Sequence, residues 1–412
     1  MQKSIVVVCL SLLFSSVCLA SDISEQLDSL KSVLSGKRVG LLVNPTAVDG
    51  EYRHLIDNLC DDDSIRVVAL FGPEHGVRGD EQAGGKVKDS VDAGTSIPVY
   101  TLYGARQSPT SEQLDMLDVL VFDIQDVGAR FYTYGWTMTK AMEACAAAKK
   151  EFVVFDRPNP VGADRVEGCP LTFDCGLIGR YWQGSEVSVA TRHGLTMGEL
   201  ATLVNEEFMN PKVRLTVVKM PHYYREMSFE ESGYPWVAPS PNMPSIECAQ
   251  VYLGTCIFEG TNISEGRGTT KPFEWTGAPW VNAEELAKLM NGKNLPGVRF
   301  RPVSFKPTFS KYRDEQCFGV QVHVMDRAKF RGVETGYHLL KGYMELYPDK
   351  VKTVSKNNDW CGRLMGQKNL FDRLSSSSVS ALTDEWRDDL AVYHRLRSRH
   401  LLYGSKPSSS EQ

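Results

Sequence analysis

Short apolar runs punctuate the first half of the chain. Val39 to Val43, Val67 to Phe71, Val119 to Phe122 and Phe152 to Phe155 are rich in β-branched and aromatic residues, and Pro98 to Tyr100 is a weaker fifth. Their apolar residues fall on both parities, which suits strands buried on both faces of a parallel sheet. Helical spacing lies between them. Leu55, Ile56 and Leu59 share a face, Ser108-Pro109 opens a segment carrying Leu114 and Leu117, and Thr139 to Lys150 is Ala-rich and ends in lysines. Alternating strands and helices predict a doubly wound α/β domain.

The second half reads differently. Thr196-Met197-Gly198-Glu199 is a capping box leading to Leu200, Leu203, Val204 and Phe208. Asn282 opens a helix with Leu286, Leu289 and Met290, a strand is expected from Phe318 to Val324, and helical patterns lie near Gly336 to Leu346 and Thr383 to Leu396. The stretch from Ala238 to Ser245 holds three prolines and is the best candidate boundary. The expected organisation is an α/β domain over 21–241, a smaller mixed domain over 242–404 and a polar tail over 405–412.

Composition narrows the class. The 412 residues are 42% hydrophobic and 24% charged, a globular balance too long for one ordinary domain. With 46 basic and 51 acidic residues the net charge is −5, so no nucleic-acid partner is expected. Residues 1–20 have the form of a cleaved signal peptide: Lys3, an apolar run from Ile5 to Phe14, then Cys18-Leu19-Ala20. That predicts a secreted or periplasmic protein with no stable membrane insertion after cleavage. Cys169 with Cys175, or Cys248 with Cys256, could pair in such a compartment, although a core of this size does not demand it.

Candidate chemistry collects where strands end, the place where open parallel sheets bind ligands. The run at Val43 continues into Asn44-Pro45-Thr46, and the run at Phe71 into Gly72-Pro73-Glu74-His75-Gly76. Phe122 leads to Asp123, Gln125, Asp126 and Arg130, and Phe155 leads to Asp156, Arg157 and Asn159. A single acid at a strand end is often a helix cap. Four polar strand ends together point to an active site.

No GxGxxG follows the first strand, and neither GxxxxGK[ST] nor GxSxG occurs, so a nucleotide cradle and a serine-hydrolase elbow are not indicated. Cys and His do not stand at zinc spacing and HExxH is absent; neither metal nor cofactor is expected, although Asp123, Asp126 and His75 could assemble a metal site. A carboxylic acid acting on a polar substrate remains. Glu74 sits on a Gly/Pro-rich turn, exposed to a ligand while the sheet edge partly desolvates it, as suits a general acid. Its alternative role is to cap a helix or pair with Arg78. Aromatic residues at Phe131, Tyr132, Tyr134 and Trp136 suit sugar rings or core packing, and the polar, Gly-rich loop from Phe258 to Thr270 suits mobile surface or a site wall.

These stretches, together with Ser240-Pro241-Asn242-Met243-Pro244 and the loop from Glu259 to Thr270, resemble the NamZ family of exo-β-N-acetylmuramidases from about Val39 to Leu402. The resemblance implies a Rossmann-like catalytic domain over 21–241 and a smaller α+β auxiliary domain over 242–404, with the site in a cleft between them, and release of N-acetylmuramic acid from non-reducing ends of peptidoglycan fragments. Glu74 would be the leading catalytic acid. Asp123, Asp126 and Glu265 are candidates for a second carboxylate, unless the substrate's acetamido group serves. Asn44, His75, Gln125, Tyr132, Tyr134, Asp156 and Asn159 would bind substrate from the first domain, and Asn242, Glu259 and Asn262 from the second. Arg267, Arg130 and Arg157, in that order, are candidates to read the lactyl carboxylate of the muramic acid. The rival classes are an exported sugar- or muropeptide-binding protein and a metal-dependent cell-wall esterase or amidase.

Overall fold

The computed structural model describes residues 23–74, 76–79, 89–354 and 359–406. The signal segment, His75 and most of the polar tail lie outside the described residues. The N-terminal half is a seven-stranded sheet in the order β3-β4-β2-β1-β5-β6-β7. Its strands are β1 (Arg38–Val43), β2 (Arg66–Gly72), β3 (Ser90–Val91), β4 (Pro98–Thr101), β5 (Val119–Asp123), β6 (Glu151–Phe155) and β7 (Arg214–Val218). All neighbours pair in parallel except β3 with β4.

Period-2 alternation explains why the central strands are apolar throughout. Leu42, Leu120, Phe122, Phe152 and Val154 enter one core, under α3 (Ser111–Asp115), α4 (Tyr134–Ala147) and α5 (Met197–Glu207). Val39, Leu41, Val121 and Val153 enter the other, under α1 (residues 23–34) and α2 (Leu55–Cys60). The capping boxes at Thr110 and Thr196 are both formed. The first helix after β5 starts at Tyr134, five residues before the Ala-rich stretch suggests, because Tyr134, Trp136 and Met138 bury their side chains in the first core and tertiary packing outweighs modest helix propensity.

A three-stranded antiparallel sheet, order β8-β10-β9, forms the second layer system, from β8 (Trp275–Ala278), β9 (Val298–Phe305) and β10 (Cys317–Val324). It packs with α6 (Ile246–Thr255), α7 (Ala283–Gly292) and α8 (Gly332–Leu346) around one large core. The helical pattern from Thr383 to Leu396 is split in two: α11 (Val379–Asp384) and α12 (Arg387–Ser398). Before them come α9 (Trp360–Met365) and α10 (Leu370–Ser376). Val127, Ala129 and Phe131, from the segment after β5, are buried inside this second core. After α12 the chain returns to the first sheet, where Tyr403 joins Ile23, Tyr223 and Tyr234. All eight described cysteines are free thiols, seven of them buried. No described helix is long and apolar enough to cross a membrane.

Candidate active site

The chain runs from β1 outward to β2 and β4, then reverses to β5, β6 and β7 on the other side of β1. The switch point therefore lies between β1 and β5, and crevices open beyond the carboxyl ends of such strands. Asn44, Glu74 and Asp126 follow β1, β2 and β5 at this place.

Glu74 is half-buried on a turn closed by a Gly76 N–H to Pro73 O bond of 3.1 Å, with Gly76 at φ +78°. Thr133 Oγ1 donates to Glu74 Oε2 at 3.5 Å. Burial, then the charge of Glu74, pushes the neighbouring Tyr103 hydroxyl up to about 12. Asp126 is 5% exposed and accepts the Gly128 N–H on Oδ1 at 2.8 Å. Gly128 has φ +75°, and a Cβ there would stand 2.3 Å from Asn159 Oδ1, so this turn requires glycine.

Asn44 is fully buried. Its Oδ1 accepts from Thr46 N at 3.0 Å, and its side chain faces the Tyr134 hydroxyl. The Tyr134 hydroxyl donates to Pro239 O beside it. Tyr132 packs edge-on against Tyr134, with ring centroids 5.0 Å apart. Its hydroxyl is buried, and burial, then the neighbours Tyr134, Asp126 and Glu74, raise it well above the ordinary tyrosine range against an opposing pull from Ser240.

The other strand-end acids are sealed. Asp123 is 0% exposed and forms a two-pronged pair with Arg157, whose Nη2 lies 2.9 Å from Oδ2. Arg157 also donates to Val48 O at 3.0 Å. Burial opposes the charge of Arg157, but Asp123 outweighs it and holds the guanidinium above its usual value. Asp156 caps α5, accepting from Gly198 N at 2.8 Å, Thr196 Oγ1 at 2.7 Å and the Tyr403 hydroxyl at 2.7 Å. Burial outweighs these donors and pushes it up to about 6.

Most remaining candidates hold the backbone. Gln125 Nε2 donates to Asp126 O and Pro158 O, and Asn159 Nδ2 to Leu195 O. Arg130 is 1% exposed and donates to Ile178 O and Leu364 O, tying the first sheet to α9; burial lowers it to about 10. Asn242 is buried beside Cys248, whose thiol points to its carbonyl. Asn262 bridges Lys350 O and Lys352 N.

Glu259, Glu265 and Arg267 form a second polar cluster. Arg267 Nη2 lies 2.7 Å from Glu259 and Nε 3.4 Å from Glu265 Oε1, while Lys311 Nζ takes Glu265 Oε2 at 2.8 Å. Burial opposes the charge of Arg267, and Glu259 and Glu265 raise it regardless. Lys311 also donates to Phe258 O and Ile263 O, so the Gly-rich loop is pinned from beneath. Aromatic rings join the two clusters: Tyr132 to Tyr252 at 6.0 Å, Tyr252 to Phe273 at 4.6 Å, and Arg267 over Phe273 at 5.0 Å.

Sequence reasoning missed Tyr103, Lys311 and His193. A lone histidine or lysine carries no motif. His193 Nδ1 accepts the Leu195 N–H at 3.1 Å, and Nε2 faces Asp126 Oδ1 at 3.7 Å. Among the described residues no group of three or more His, Cys, Asp or Glu could hold a metal ion.

The class defined by this arrangement is a two-sheet α/β protein whose switch-point crevice carries acids, tyrosines and an amide in place of a nucleotide cradle. Family models described as the N-terminal and C-terminal parts of exo-beta-N-acetylmuramidase NamZ match residues 39–247 and 250–403. The peptidoglycan beta-N-acetylmuramidase NamZ of Bacillus subtilis strain 168 is 44% identical over 383 residues, 92% of this chain and 90% of that protein. Two crystal structures of DUF1343 family proteins from Bacteroides fragilis NCTC 9343 share the fold. One has a TM-score of 0.84 at 38% identity, covering 92% of this chain and 97% of the other. The second has 0.70 at 27%, covering 93% and 98%. The chain belongs to the NamZ family and is a glycosidase by that membership.

Proposed function

We propose that this protein is an exported, exo-acting glycosidase that releases N-acetylmuramic acid from the non-reducing ends of peptidoglycan fragments. Glu74 is the general acid, in a cleft between the domains at 21–241 and 242–404. The observation that carries this reading is the placement of Glu74 at the switch point with Asp126, Asn44 and Tyr132. Asp123 and Asp156 are sealed away from that crevice. A general acid needs an oxygen that can reach the leaving group. Glu265 does not offer one, since each of its oxygens faces a cation.

Arg267 reads the lactyl carboxylate. Its side chain is 24% accessible, whereas Arg157 and Arg130 are sealed and consumed by Asp123 and by backbone carbonyls. Family kinship with a peptidoglycan β-N-acetylmuramidase supports the choice of substrate.

The test is turnover of an aryl β-N-acetylmuraminide against the matching glucosaminide. The muraminide should be cleaved and the glucosaminide largely spared. A hydrogen bond to a charged group contributes about 1.5–3 kcal/mol, so Arg267→Ala should narrow the gap by about ten- to a hundredfold. Equal cleavage of both by the unaltered protein would remove the carboxylate reading, and no turnover of either would remove the activity.

A further inference from the structure

Asp126 is gripped on one oxygen only. Oδ1 accepts the Gly128 N–H at 2.8 Å and faces His193 Nε2 at 3.7 Å. Among the described residues Oδ2 receives no donor, and it is not among the sealed polar atoms. His193 is itself fixed from several sides. Its Nδ1 accepts the Leu195 N–H, which leaves the ring proton of the neutral imidazole on Nε2, toward Asp126. Its carbonyl accepts the Tyr393 hydroxyl at 2.8 Å, and its N–H reaches Gly128 O at 3.4 Å, so the histidine and the Asp126 turn form one unit. At 3.7 Å the side-chain contact is longer than a hydrogen bond. Such contacts commonly tighten when substrate fills the site.

We propose that His193 is a positioning residue that fixes Asp126 so that Oδ2 accepts the N–H of the substrate's acetamido group. The inference deepens the glycosidase reading and rests on it. With its N–H held, the acetamido group turns its carbonyl oxygen toward the anomeric carbon. That oxygen bonds to the anomeric carbon as the bond to the leaving oxygen breaks, and the proton of Glu74 goes to the leaving oxygen. Water then bonds to the anomeric carbon, the carbon–acetamido bond reopens, and the proton from water returns to Glu74. The second catalytic group is therefore the substrate's own, and the product keeps the β configuration.

The experiment uses nitrophenyl N-acetylmuraminide, whose leaving group needs no proton, so the acid step of Glu74 is bypassed. His193→Gln keeps an N–H donor at the reach of Nε2, and His193→Asn does not. His193→Asn should lose about tenfold or more in kcat with KM nearly unchanged, since small misplacements at a reacting centre are costly. His193→Gln should recover most of that loss. The double variant His193→Asn, Asp126→Asn should be no slower than Asp126→Asn alone, because coupled residues are not additive. Replacing the N-acetyl by an N-trifluoroacetyl group should slow the unaltered enzyme by about a hundredfold, through a weaker attacking oxygen, and slow Asp126→Asn far less. Equal kcat for the two histidine variants, multiplying losses in the double variant, or indifference to fluorination would overturn the proposal. Failure of the unaltered enzyme to cleave the N-acetyl substrate would instead remove the activity itself.

Discussion

Two pairs of acids stand at the ends of neighbouring strands and meet opposite fates. Asp123 and Asp156, directly at the ends of β5 and β6, are wholly buried and fully partnered. Glu74 and Asp126, a few residues further along the turns after β2 and β5, are held otherwise: Glu74 is half-buried and accepts from Thr133 Oγ1 at 3.5 Å, and Asp126 Oδ1 accepts from Gly128 N at 2.8 Å. What separates the pairs is the next element. Arg157 reaches back across Asp123, and the N-terminus of α5 aims its free N–H groups at Asp156. At the switch point the start of α4 meets Glu74 through the 3.5 Å bond from Thr133 Oγ1. The first pair assembles the platform, and the second is the pair proposed above to meet the substrate.

The sharpest way to break this contrast is at Glu74. Glu74→Gln keeps the shape and removes the transferable proton. Turnover of a natural disaccharide should fall about a hundred- to ten-thousandfold, with thermal unfolding unchanged, and the loss should shrink for a nitrophenyl substrate. Near-normal turnover of the disaccharide by the folded variant would falsify the assignment. On the platform side the readout reverses. Arg157→Met strands a buried Asp123 carboxylate, and removing one partner of such a pair costs about 3–5 kcal/mol. Urea titration should register that destabilisation, whereas a change in rate without one would move Arg157 into the site.

A smaller effect should follow pH at Asp156. Its folded value of about 6 lies above the ordinary 3.8, so the native state binds the proton more tightly between them. Its contribution to stability is fully present below about pH 4 and lost as pH rises through about 6, by up to about 3 kcal/mol. Unfolding free energies of the protein and Asp156→Asn, measured from pH 4 to 7.5, should converge or diverge over that window alone. A constant difference would show that burial does not raise this carboxyl.

The central strands were legible because burial on both faces writes apolar residues on both parities. Strands at the sheet margins leave weaker marks. β7 has four of its five residues partly or fully exposed, and β9 changes its buried parity at Pro302, a residue that argues against a strand until it is seen to lie at a sheet edge. The polar strand ends were legible as a set, including Asn44, Glu74 and Asp126. Their division into sealed and open acids was not, because it depends on how far Arg157 reaches and where α5 points. The loop from Phe258 to Thr270 read as mobile surface or a site wall. Lys311, a cation more than forty positions away, holds it in place.

The Tyr403 hydroxyl that completes the donors around Asp156 comes from 247 positions further along the chain. During synthesis, the first sheet can therefore collapse long before one of its strand-end carboxylates has its full complement of partners. Contacts so remote in sequence close late and slowly. The order in which residues leave the ribosome thus sets when this half of the enzyme reaches its final strength: the platform waits on the last turn of the polypeptide, and a chain stopped before Tyr403 would carry an unfinished one.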